Sequence, residues 1–285
     1  MFRSTSCRSF SASTSVFFSV LPYLLLSLFT PYSAAEPIPV KTAQAAAHTF
    51  LVLRTQEGKA VAVGEMTQTT RAARVTTGVK FRFDDGSVYE ETTVFSQHGV
   101  FQVLSDHILQ TGPSFKEPVE VWIDCRSGEV KVRDMKPGKN KEDGKDNKHN
   151  DNITTSHVKI PADLANGIVP FIIENFPDEA EHTVTMLVAT PKPRIVKLIL
   201  SPQGEDTFSI GKTKYKAARY VAKPQIGGVA GAVAPLVGKQ PPDAQFWVFK
   251  GPVPCFLKSA GPLSADNIVW QIELATPTWS GDGKK

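Results

Sequence analysis

Apolar and polar side chains alternate with a period of two along most of the chain beyond residue 48, and short Gly- or Asp-bearing segments interrupt the alternation. That rhythm specifies β-strands joined by tight turns and leaves little room for a helical bundle. Val79, Phe81 and Phe83 face one way while Lys80 and Arg82 face the other. Asp84-Asp85-Gly86 then forms a turn into Val88 to Phe95, and Gln97-His98-Gly99 forms the next turn, into Val100 to Leu104. Val119 to Ile123 runs up to the turn Cys125-Arg126-Ser127-Gly128 and returns as Val130 to Val132. Thr49 to Leu53 and Ala60 to Met66 make a first hairpin around Gln56 to Lys59. Val184 to Val188, Ile195 to Leu200, Gln245 to Phe249 and Ile268 to Leu274 read as later strands. About ten strands with short turns predict a mainly β fold, an antiparallel meander curled into a barrel or half-barrel so that few edges stay exposed.

Two segments break the rhythm. Residues 134–152 are polar with balanced charge, which predicts a solvated, disordered insertion. In Pro161 to Phe176, Leu164, Ile168, Phe171 and Ile172 form a helical stripe, while Gly167 and Pro170 predict a kink or two short pieces. A helix alone among strands would cover one mouth of the barrel.

The N-terminus reads as an address. Arg3 and Arg8 precede the apolar run Val16 to Phe29, which contains Pro22 and is short for a membrane span of ~20 residues. Ser33-Ala34-Ala35 places signal cleavage before Glu36, giving a signal peptide at 1–35 and one β domain at 36–285. An uncleaved N-terminal anchor is the rival reading. Export to the periplasm or the exterior is the expected localisation, with no transmembrane segment after cleavage. The full chain has 32 Lys and Arg against 28 Asp and Glu, and residues 1–35 hold two of the former and none of the latter, leaving 30 against 28. So even a balance gives no basic patch for nucleic acid. Cys125 and Cys255 remain in the mature chain, either as a disulfide or as two separate small core residues.

Catalytic signals are weak. The stretch from Gly227 to Lys239 lacks both the leading Gly and the trailing Ser or Thr of a phosphate loop, so it reads as a small-residue crossover or a pliable loop touching lipid. His98, His107, His149, His157 and His182 have no metal-ligand spacing, and no metal or cofactor is expected. Asp106, His107 and Asp124 suit acid–base work only if the fold brings them together, as a hydrolase would require. Asn152-Ile153-Thr154 is a formal glycosylation sequon.

Aromatic side chains crowd the strands, and both faces of Gln245 to Phe249 are apolar, as in a strand buried on two sides or facing a cavity. The pieces Asp85-Gly86-Ser87 into Glu91 to Phe95, Ile160 to Leu164, and Phe246-Trp247-Val248 through Pro254 to Trp270 to Leu274 follow one order. That order resembles secreted bacterial envelope proteins with domains of unknown function, similar to the LolA-like lipoprotein carriers. The resemblance implies a curved sheet with an apolar concave face and a helix over it, and it carries over no site residue. The leading expectation is a non-enzymatic protein holding an apolar or lipid-like ligand against Phe81, Phe83, Trp122, Leu164, Ile168, Phe171, Phe246 and Trp270. The alternatives are an envelope assembly protein that binds a protein partner, and the hydrolase.

Overall fold

The computed structural model describes residues 37–136, 153–176, 180–225, 241–263, 268–276 and 278–279. The expected signal peptide, residues 137–152 of the charged insertion with the sequon's Asn152, and the Gly227 to Lys239 stretch lie outside them. Among the described residues the fold is mainly β, with fifteen strands in one antiparallel sheet and one short helix.

A first meander comprises β1 (Ala47–Thr55), β2 (Ala60–Arg71), β3 (Arg74–Phe83), β4 (Val88–Ser96), β5 (Gln102–Thr111), β6 (Val119–Asp124), β7 (Glu129–Asp134) and β8 (Ile153–His157). The helix α1 (Val169–Glu174) follows. The second meander comprises β9 (His182–Val188), β10 (Arg194–Ile210), β11 (Thr213–Gln225), β12 (Ala244–Phe249), β13 (Cys255–Pro262) and β14 (Val269–Leu274), and β15 (Thr278–Trp279) ends the order. β14 pairs with β1, Leu53 opposite Ile272 and Leu51 opposite Leu274, and so fuses the two meanders. The strand path runs β15-β10-β11-β12-β13-β14-β1 and on in sequence to β8, with β9 pairing with β10 off that path.

The sheet does not close, which corrects the expected barrel of about ten strands: β8 and β15 end the path without pairing with each other. Side chains from its two halves instead meet around one helix. Phe95, Val103 and Val121 from the first meander share a core cluster with Leu198, Leu200, Tyr220 and Val248 from the second and with Ile168, Phe171, Ile172 and Ile173. Phe95 stacks on Phe171 with ring centroids 5.4 Å apart. Packing of the two halves of the sheet onto a buried helix, not edge pairing, covers the apolar face.

The helix is shorter than the Pro161 to Phe176 stripe. Gly167 has φ +66°, which L side chains rarely adopt, and a Cβ there would lie 1.9 Å from the Thr93 hydroxyl. Helical geometry therefore starts only after it, and Pro170 sits in the first turn, where its missing N–H costs nothing. Leu164 belongs to an isolated parallel bridge with Thr185, not to the helix. A strap at Pro37 to Gln44 secures the other end. The Asn175 side-chain oxygen accepts the Lys41 and Thr42 amides, and Gln44 Nε2 donates to Glu174 at 2.8 Å.

Alternation fixes which face is which. Val121 and Ile123 are buried on the helix side, so Trp122 between them lies on the opposite face. On β12, Phe246 and Val248 pack into the main cluster, whereas Trp247 belongs to a second small core with Phe208, Ala217 and Leu257. Burial on both faces accounts for the apolar run at 246–249. Cys125 and Cys255 are both free thiols, so the bridge reading is replaced by two separate cysteines. Burial, with the charges of Asp106 and Asp124, pushes the Cys125 thiol up to about 12.

Candidate functional site

Between α1 and the sheet lies a cavity of about 270 Å³. Its floor is the fused centre of the sheet: Leu51 and Met66 of β1 and β2, Thr77, Val79, Tyr89, Glu91 and Ile108 of β3 to β5, and Trp270 and Ile272 of β14. Phe246, Phe256 and Ala260 form another wall, and Asn166 to Phe171 close it from the helix side. An engineered apolar cavity of about 150 Å³ holds a benzene molecule, so this one has room for a ligand nearly twice that size.

Its walls are mostly apolar with a localised acidic end. Inward residues of β4 are Tyr89, Glu91, Thr93 and Phe95, and the alternation that buries the two aromatics also turns Glu91 inward. Glu91 accepts the Tyr89 hydroxyl at 2.9 Å, and Asp106, opposite Thr93 on the neighbouring strand, accepts the Thr93 hydroxyl at 2.8 Å. Burial raises the pKa of both carboxyls, and the charge of Glu91 raises that of Asp106 further. Burial holds the Tyr89 phenol well above its usual value. The second oxygen of Asp106 and the Thr77 hydroxyl are buried without a hydrogen-bond partner. Asn166 is satisfied, since its side chain pairs with both the amide and the carbonyl of Leu187.

Of the residues singled out in the sequence, Phe171, Phe246 and Trp270 line this cavity. Phe81 and Phe83 belong to the packed cluster beside it, Phe83 meeting Trp270 edge-on at 5.6 Å. Phe81 is fully buried against Gly64, where a Cβ would come within 2.4 Å of its ring. Leu164 and Ile168 are solid core. Trp122 is on the far face, stacked on His107 at 5.3 Å with the Arg133 guanidinium 5.1 Å from its ring centre. Sequence reasoning passed over Tyr89, Glu91 and Thr77, although the phase of Tyr89 and Phe95 marks Glu91 as an inward acid.

A shallow groove on that far face is bordered by Asp106, His107 and Asp124 together with Trp122, Lys131 and Arg133. The three acid–base candidates border this groove, but each is engaged with a partner of its own. Asp106 turns inward to Thr93, His107 pairs with Glu120 at 3.0 Å, and Asp124 caps the Arg126 and Ser127 amides of its own turn. Those amides hold the Asp124 carboxyl below its usual range. Among the described residues no group of three His, Cys, Asp or Glu side chains is placed to hold a metal ion, and no helix is long and apolar enough to cross a membrane.

No family model, curated protein or solved structure matches this chain.

Proposed function

We propose that this protein is an exported, non-enzymatic binding protein that holds an apolar or lipid-like ligand between α1 and the centre of the sheet. One observation carries the reading: a cavity of about 270 Å³ with predominantly apolar walls lies where the two meanders fuse. Core packing joins α1 to the sheet, and a second cluster of strand residues that includes Tyr89 and Trp270 packs beside the cavity, so binding needs no large rearrangement. Localisation in the cell envelope follows from the N-terminal address, and the protein would act there as a carrier or a store.

A substitution that fills the space tests this. Val79→Phe adds volume on the cavity floor at a site that is only partly buried. The variant should keep a cooperative melt, yet bind the neutral fluorescent probe N-phenyl-1-naphthylamine at least about tenfold more weakly, a loss of roughly 1.4 kcal/mol. A folded Val79→Phe protein with unchanged probe affinity overturns the reading. A second reading, assembly through a protein partner, draws on Phe50 and Val63, which are 64% and 69% exposed on the outward face of β1 and β2. Crosslinking in intact cells that is abolished by Phe50→Ser would favour it.

A further inference from the structure

We propose that the cavity selects amphiphiles bearing a protonated amine, which Glu91 holds at the acidic end of an otherwise apolar chamber. The inference rests on the apolar-ligand reading and specifies the head group.

Glu91 lines the cavity, and Asp106 lies on the neighbouring inward row of β5, opposite Thr93 and outside the cavity lining. One oxygen of Glu91 receives the Tyr89 hydroxyl, and the other has no protein donor among the described residues. Asp106 likewise spends one oxygen on Thr93 and keeps the other buried and unpartnered. No Lys, Arg or His among the described residues lines the cavity or pairs with either acid. On the flanking β3, Lys80 pairs with Glu90 on the outward face. Buried carboxyls without a cation are costly, and a ligand ammonium supplies both the missing charge and three hydrogen-bond donors. A carboxylate or phosphate head would instead meet the Glu91 carboxyl and no counter-charge, which is how a site rejects a wrong ligand. The apolar remainder of the ligand is limited by volume: twice the space that benzene needs takes about a dozen heavy atoms, a single medium-length chain.

Three ligands of equal chain length separate the possibilities: octylamine, octanol and octanoate, each titrated near neutral pH against the full mature protein by calorimetry. Octylammonium should bind about tenfold tighter than octanol, and octanoate about tenfold weaker than octanol. Glu91→Gln, which keeps an acceptor for Tyr89, should bring octylammonium down to the affinity that the same variant shows for octanol. Equal affinities for the three, or octanoate as the tightest, overturn the amine assignment and leave the apolar cavity standing. Failure of all three to bind overturns the cavity reading itself. Should Glu91→Gln not fold, the order of the three ligands on the natural protein decides alone.

Discussion

At the scale of single residues, burial of ionisable groups dominates, and Glu174 makes the consequence measurable. It is 6% exposed at the end of α1, and burial lifts its carboxyl from 4.5 to about 7 despite the Gln44 hydrogen bond. An acid whose pKa is raised by folding binds more protons folded than unfolded, so its contribution is intact below pH 4.5 and is lost as pH rises toward 7. The protein should therefore become less stable over that window, by up to about 3 kcal/mol from this group, with Glu91 and Asp106 adding in the same direction. Glu174→Gln should raise the urea midpoint at pH 8 and flatten the decline between pH 5 and 7. A variant with the same midpoint and the same slope as the natural protein would show that Glu174 titrates normally.

At the scale of elements, β12 sits between the two functions that strands serve here. Phe246 faces the cavity and Trp247 faces the second core, where its ring N–H donates to Asp206 at 2.6 Å. Trp247→Ala should cost about 3–5 kcal/mol in a urea melt while folded molecules bind a neutral probe normally. Phe246→Ala should change probe affinity as well. Equal effects of both substitutions on binding would place the site elsewhere. The strands with clean alternation and Gly- or Asp-marked turns were legible in the sequence, among them β3 to β7 and β14. β11 and β13 were not, because Lys214, Lys216 and Pro224 break the pattern in one and Gly261 and Pro262 in the other. Long-range pairing with β12 holds them in place despite that. The helix was overread because Leu164 and Ile168 fit a helical period while Gly167 between them requires a positive φ. Trp122 was misassigned to the site for the opposite reason: its own neighbours Val121 and Ile123 already carry the inward phase.

At the scale of the whole molecule, the path of strands does not close, and its concave side holds both α1 and a cavity. A tightly closed small barrel fills its interior with side chains, whereas an open sheet packed around a helix can keep a cavity at the line where two meanders join. The acidic end of that chamber was not legible in composition, since a balance of 32 basic and 28 acidic residues conceals one inward carboxyl, Glu91, with no basic side chain beside it in the cavity lining among the described residues. The most direct test is native mass spectrometry of the protein taken gently from its own cells, followed by incubation of the stripped protein with octanol. The account predicts an extra mass that disappears on denaturation, extracts with organic solvent and is absent from Val79→Phe, on a polypeptide whose mass shows two free thiols. A protein that arrives without adduct and takes up no octanol would contradict it.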